Sequence, residues 1–184
     1  MDYFLWIFNI FFTSVFTGFS IVIPVLLLLP FKNGQAKEFR GFFIDTAIKL
    51  LRLSGIAYLF FFMLDTYILY TQQGVNFLNH ITGAYWLYYW FSPLMYLFLS
   101  QLLWIKKLWS KKGGLIIFSL LLLLLPSQKF LVFMAAFNRD YLLSSWSMYT
   151  SDIVIEFVLN IIVFIFTILT ITLLTNKLRT NIKA

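Results

Sequence analysis

The chain has 184 residues, of which 61% are hydrophobic and 11% are charged, whereas a soluble domain carries about a quarter charged residues. A mean hydropathy of +0.89 places such a chain in a lipid bilayer. The absence of cysteine excludes disulfides, thiolate metal sites, cysteine-ligated iron–sulfur clusters and covalently attached haem. The single histidine, His80, excludes bis-histidine haem within one chain and most zinc sites.

Five apolar segments predict an all-α integral membrane protein, a five-transmembrane-helix bundle that forms one domain over residues 1–184. With a rise of about 1.5 Å per residue, such segments cross a hydrocarbon core of about 30 Å. The first segment lacks the basic start of a signal peptide and ends at Pro30, so we expect a retained helix. The segments are 3–29, 44–71, 84–105, 115–136 and 152–174.

The positive charges predict the orientation of these helices. Three Lys or Arg residues follow the first helix, four follow the third and three lie in the C-terminal tail, whereas the N-terminus and the loop after the second helix have none. All basic segments fall on one side of the membrane if there are five helices. The N-terminus is therefore predicted outside and the C-terminus inside. The net charge of +7 thus reflects topology, and no nucleic-acid partner is expected.

Three ionisable residues lie inside predicted helices on the outer half of the membrane. Asp65, Lys129 and Glu156 sit roughly 6–10 Å below the predicted outer surface at about 1.5 Å per residue. Isolated charges there cost at least about 2.5 kcal/mol, so pairing or protonation is expected. One interpretation is a structural ion pair of Lys129 with Asp65 or Glu156. The other is a proton-linked or quinone-linked site.

Polar residues concentrate in 137–150, FNRDYLLSSWSMYT, between two apolar runs. A membrane protein places such groups at an interface or around a cavity. Arg139 and Asp140 are expected to form a partly exposed pair that contacts headgroups or a neighbouring subunit. His80, in a predicted outer loop, is either an interfacial side chain or a hydrogen-bond partner for a quinone. The aromatic run 85–91 is an interfacial belt or, alternatively, part of a quinone headgroup pocket.

The polar segment also resembles a known family. Residues 137–156, FNRDYLLSSWSMYTSDIVIE, are similar to a segment of the large membrane subunits of alternative complex III, the bacterial quinol:cytochrome c oxidoreductase. These subunits belong to the NrfD, or polysulfide reductase membrane-subunit, family. Residues 50–76 and 83–107 resemble two preceding helices of the same subunits, so that the resemblance covers about 44–176 in order. It implies one four-helix bundle of the family plus one helix.

Within the polar segment, the matching residues are Arg139, Asp140, Tyr141 (an aromatic in place of Phe), Ser144, Ser145, Trp146 and Tyr149. The chain departs from the family pattern where proton chemistry is concerned. Gln128 and Lys129 stand in place of Glu and Arg, Asn138 in place of His, and Leu143 in place of Pro. The missing carboxylate and imidazole are the groups best suited to proton-coupled chemistry.

Three functions remain open at this point. The resemblance implies a small structural subunit of a respiratory quinol-oxidising complex in the bacterial inner membrane, surrounded by lipids and other subunits. The second is a quinol-binding or proton-conducting subunit, for which the candidates are Asp65, His80, Lys129, Arg139, Asp140, Tyr141 and Glu156. The third is an unrelated transporter or channel subunit. No cofactor is expected in this chain beyond quinol, menaquinol or lipid at its surface, and haem and iron–sulfur clusters are expected in partner subunits.

Overall fold

A computed structural model describes residues 2–30, 34–74, 81–83, 86–124 and 150–182. The regular elements of this part of the chain are α-helices, which confirms the predicted all-α class. Their bounds are α1 (Asp2–Leu28), α2 (Gly34–Gln73), α3 (Trp86–Leu102), α4 (Lys106–Trp109), α5 (Lys112–Leu124) and α6 (Thr150–Ile182).

Three helices of the described residues are long and apolar enough to cross a membrane: Ile7–Leu28 in α1, Gly34–Gln72 in α2 and Ile155–Thr175 in α6. Helix α3 has 17 residues and the described α5 has 13. At about 1.5 Å per residue both are shorter than a hydrocarbon core of about 30 Å. The part of the chain that the structure describes is therefore helical and apolar, with three candidate membrane spans.

Helix α2 differs most from its predicted bounds. It begins at Gly34, ten residues before the predicted start at Ile44, so most of the predicted loop 30–43 is helical. The reason is that Ala36, Lys37 and Glu38 favour helix and no proline interrupts them. The 40 residues of α2 reach about 60 Å, roughly twice the hydrocarbon thickness. The exposed polar residues at the start of α2 therefore lie beyond the length that a hydrocarbon core covers.

Helix α1 is the centre of the bundle, because it packs against α2, α5 and α6. Its buried residues Val15, Phe16, Phe19 and Ile23 recur with helical spacing on the faces that meet these neighbours. The other helices, and the first residue after α3, complete the core with side chains that are almost inaccessible to solvent: Leu51, Leu103, Leu122, Phe164 and Ile168.

Small residues allow α1 and α6 to approach closely. Gly18 lies against Phe164, and one helical turn earlier the Ser14 hydroxyl donates to Asn160 Oδ1 at 2.7 Å. Small residues four apart are a common means of close packing between membrane helices. From the Ser14 contact to the Gly18 contact, the residue numbers rise by four on both helices, so α1 and α6 run parallel.

The ring contacts show that α2 runs antiparallel to α1. Phe8 stacks on Phe61 with centroids 4.3 Å apart, and Phe16 meets Tyr58 edge-on at 5.7 Å. Helix α3 runs antiparallel to α2 in turn, because Gly55 packs on Ser100 and Thr66 meets Tyr89.

Hydroxyl groups inside the bundle are satisfied largely by their own helices. Ser20, Ser119 and Thr167 each donate to the carbonyl oxygen four residues earlier, at 2.7–2.9 Å. Such bonds keep a hydroxyl satisfied where no water is available.

Candidate functional site

Polar side chains of α2 and α3 meet at the end of the helix pair that is predicted to face outward. The Thr66 hydroxyl donates to Phe62 O at 2.8 Å and lies 2.7 Å from the Tyr89 hydroxyl. Because a threonine has a single hydroxyl proton, the Tyr89 hydroxyl is the donor in the second bond. Asp65 directly precedes Thr66 on α2, and Tyr58 lies seven residues before Asp65, on the same face of the helix. We call Tyr58, Asp65, Thr66 and Tyr89 the Asp65 cluster.

Aromatic packing holds the tyrosines of the Asp65 cluster in place. Tyr58 meets Tyr96 edge-on at 5.4 Å, and Tyr96 stacks on Phe16 of α1 at 4.1 Å. Tyr89 packs on Phe62 with centroids 5.1 Å apart. Such ring pairs favour fixed geometries, so the hydroxyls are presented on a rigid frame built by α1, α2 and α3.

An open groove of about 350 Å³ lies beside the Asp65 cluster and shares Thr66 with it. The volume falls within the range of about 300–1,000 Å³ seen for small-molecule sites. Its described walls are almost wholly apolar and consist of Met63, Thr66, Tyr67, Tyr70, Ile81 and Trp90. Such walls suit an apolar ring or a hydrocarbon chain.

The structure places two of the seven predicted site residues. Asp65 is half-buried, eight residues before the end of α2 and not six as predicted, because α2 continues to Gln73. Glu156 is exposed on α6 and makes no hydrogen bond or ion pair with the described residues. The remaining five lie outside the described residues: His80, Lys129, Arg139, Asp140 and Tyr141.

The predicted ion pair of Lys129 therefore stays a prediction, as does the role of the polar segment 137–150. Part of the aromatic run 85–91 does contribute to the site, since Tyr89 contacts Thr66 and Trp90 lines the groove. Within the described ranges, no cluster of three His, Asp or Glu residues is placed to hold a metal ion.

Sequence reasoning missed Tyr58 and Thr66 as members of the site. The available signal was helical periodicity, because residues three, four and seven apart share one face of a helix. Tyr58, Phe62, Asp65 and Thr66 follow that spacing on α2. Because the prediction depended on residue type alone, it included Asp65 but not the hydroxyl groups of Tyr58 and Thr66.

No protein-family model, curated protein or solved structure matches the chain.

Proposed function

We propose that the chain is a small integral membrane subunit of a respiratory quinol-oxidising complex that resembles alternative complex III, in the bacterial cytoplasmic membrane. The proposal depends chiefly on the resemblance of the residues from Arg139 to Tyr149, continued over about 44–176. The three candidate membrane spans support the membrane location.

A five-helix topology is part of this proposal. Helices α1 and α6 run parallel and α2 runs antiparallel to both α1 and α3, as an alternating bundle with an odd number of crossings requires. With five crossings, the lysines from Lys106 to Lys112 share the cytoplasmic side with the C-terminus.

The proposed role is structural, beside catalytic subunits that carry the haem and iron–sulfur clusters. Helix α2 presents exposed large side chains that recur three and four residues apart, a pattern that a neighbouring helix engages. The stripe comprises Leu53, Ile56, Phe60, Met63, Tyr67 and Tyr70. Two positions of the sequence also agree with a structural role. Gln128 and Asn138 stand where the family pattern has the two groups that accept protons most readily.

A second candidate function is quinol binding, which the groove beside the Asp65 cluster favours. Quinol oxidation releases protons together with electrons, and the carboxylate of Asp65, which precedes Thr66 of the groove in the chain, is a group that can accept one. Thr66 and its partner Tyr89 supply hydroxyl groups next to the apolar walls. Quinol turnover in variants of Asp65 separates this function from the structural one.

The first experiment is purification in mild detergent with identification of every subunit that co-elutes. Co-elution with haem and iron–sulfur subunits is the expected result. A chain that elutes alone, or with a transporter, would contradict the proposal.

The second experiment compares quinol turnover per assembled complex in three variants. For a structural subunit, Asp65→Asn, Glu156→Gln and His80→Gln are expected to leave turnover nearly unchanged, even where assembly yield falls. A loss greater than about tenfold, or ~1.4 kcal/mol of barrier, would instead place a working quinol or proton site in this subunit. Assembly is verified by haem and iron–sulfur content, so that lost assembly is not counted as lost turnover.

A further inference from the structure

A second polar cluster lies where α3 ends against α2, away from the groove. Arg52 Nη2 donates to the carbonyl oxygen of Leu103, the first residue after α3. The guanidinium carbon lies 4.8 Å from the centroid of the Trp104 ring and 5.9 Å from that of Trp109. Both distances fall within the range of about 6 Å for cation–π contact. We call Arg52, Gln101, Leu103, Trp104 and Trp109 the Arg52 niche.

Gln101 fixes the parts of the Arg52 niche relative to one another. Its Nε2 donates to the backbone oxygen of Arg52 at 3.1 Å, and its Oε1 accepts from Trp104 Nε1 at 2.8 Å. Trp104 is 63% exposed, yet this bond holds its ring at the guanidinium. The close approach of Gly55 to Ser100 brings α2 and α3 together directly beside the niche.

The guanidinium in the Arg52 niche has no carboxylate partner among the described residues. Asp45, an acidic residue of the same helix, pairs with Lys49 at 2.6 Å. Arg52 Nε and Trp109 Nε1 are both buried without an acceptor in the part of the chain that the structure describes. An arginine carries five N–H donors, and a cation at a membrane surface attracts an anion. The niche therefore keeps a positive charge that no carboxylate of the described residues balances.

Positive charge and exposed apolar side chains directly follow the Arg52 niche along the chain. Four exposed lysines lie on α4, just before α5 and at its first residue: Lys106, Lys107, Lys111 and Lys112. Two exposed apolar side chains, Ile105 and Leu108, alternate with these lysines. An anion held here thus meets both positive charge and a surface on which hydrocarbon chains can lie.

We propose that the Arg52 niche binds the phosphate of an anionic phospholipid, on the membrane face that carries the lysines. The planar fork of an arginine matches two phosphate oxygens, which a lysine does not. A tryptophan at the headgroup level and a basic pocket between helices are both features of lipid headgroup sites. The exposed Ile105 and Leu108 favour a lipid over free phosphate as the source of the anion.

The test titrates the full chain, purified in detergent, with phosphatidylglycerol and with phosphatidylcholine, and measures bound lipid by native mass spectrometry. Arg52→Gln is expected to weaken phosphatidylglycerol binding by about tenfold, or ~1.4 kcal/mol. The matched control is Lys49→Gln, a cation of the same helix that is already paired with Asp45. It is expected to change affinity by less than about twofold, because exposed ion pairs contribute little.

Two further variants keep the proposal falsifiable if Arg52→Gln disturbs folding. Trp104→Ala removes an exposed ring and is expected to weaken phosphatidylglycerol binding by about two- to fivefold. Arg52→Lys keeps the charge but loses the fork, so its affinity is expected to lie between wild type and Arg52→Gln.

Inorganic phosphate is added at millimolar concentration as a competitor and is expected not to displace the lipid. Displacement by phosphate would assign the Arg52 niche to a free anion and overturn the lipid proposal. Equal phosphatidylglycerol binding by wild type, Arg52→Gln and Trp104→Ala would also overturn it, as would phosphatidylcholine binding with the same dependence on Arg52.

Discussion

The contact between Gly18 and Phe164 gives the sharpest test of the packing of α1 on α6. A Cβ atom added at Gly18 would lie 2.5 Å from Phe164 Cγ and closer still to Phe164 Cβ. Carbon atoms in favourable contact are about 3.5–4.0 Å apart. Because Phe164 Cβ is attached directly to the backbone, no side-chain rotation of Phe164 removes the overlap. Gly18→Ala therefore forces α1 and α6 apart.

The magnitude follows from two contributions. Overpacking of a close interface costs about 1–3 kcal/mol. Separation of the helices also weakens the Ser14–Asn160 hydrogen bond one turn away, which adds up to about 1 kcal/mol. At about 2–4 °C per kcal/mol for a chain of this size, a loss of about 1–4 kcal/mol lowers the melting temperature by roughly 2–16 °C.

The assay is thermal unfolding in detergent, followed by fluorescence-detected size-exclusion chromatography. Gly41→Ala is the matched control, since its added Cβ has no neighbour within 4 Å and alanine favours helix by about 1 kcal/mol over glycine. Gly41→Ala is expected to leave the melting temperature unchanged or to raise it. A fall no larger for Gly18→Ala than for Gly41→Ala would refute the close packing of α1 on α6.

Three further outcomes are expected. A tag at the C-terminus is accessible to a protease only from the cytoplasmic face, and cleavage from the outer face alone would contradict the five-helix topology. Lys129→Met lowers the thermal stability of the assembled complex more than Lys106→Met does, because the loss of one partner of a buried ion pair costs about 3–5 kcal/mol. Equal effects of the two variants would mean that Lys129 is solvated. Asn160→Leu lowers the free energy of unfolding by up to about 1.7 kcal/mol, because its hydrogen bond to Ser14 is lost. Thr167→Val is the control, since the Thr167 hydroxyl bonds only its own helix. An equal or smaller loss of stability for Asn160→Leu would refute the bond to Ser14.

The sequence by itself determined the class of the protein and the position of its first helix. The predicted segment 3–29 and the observed Asp2–Leu28 nearly coincide. The reason is that the backbone N–H and C=O groups of an unbroken apolar run can all be hydrogen-bonded in a membrane only within a helix. Pro30 then ends that helix. Each of the five predicted segments overlaps a described helix, because hydropathy depends on composition along the chain and not on neighbours.

Tertiary structure decided which side chains meet. Asp65 was recognisable as an ionisable residue inside a predicted helix, but the contact of the adjacent Thr66 with Tyr89 depends on how α2 and α3 face each other. Nothing in the pattern of residue types indicated a partner for Arg52. Its ring contacts and its bond to Leu103 exist only because α3 ends beside it and α4 turns back. Pairings across helices are set by the rotation and closeness of two surfaces, and a one-dimensional pattern of residue types does not contain either quantity.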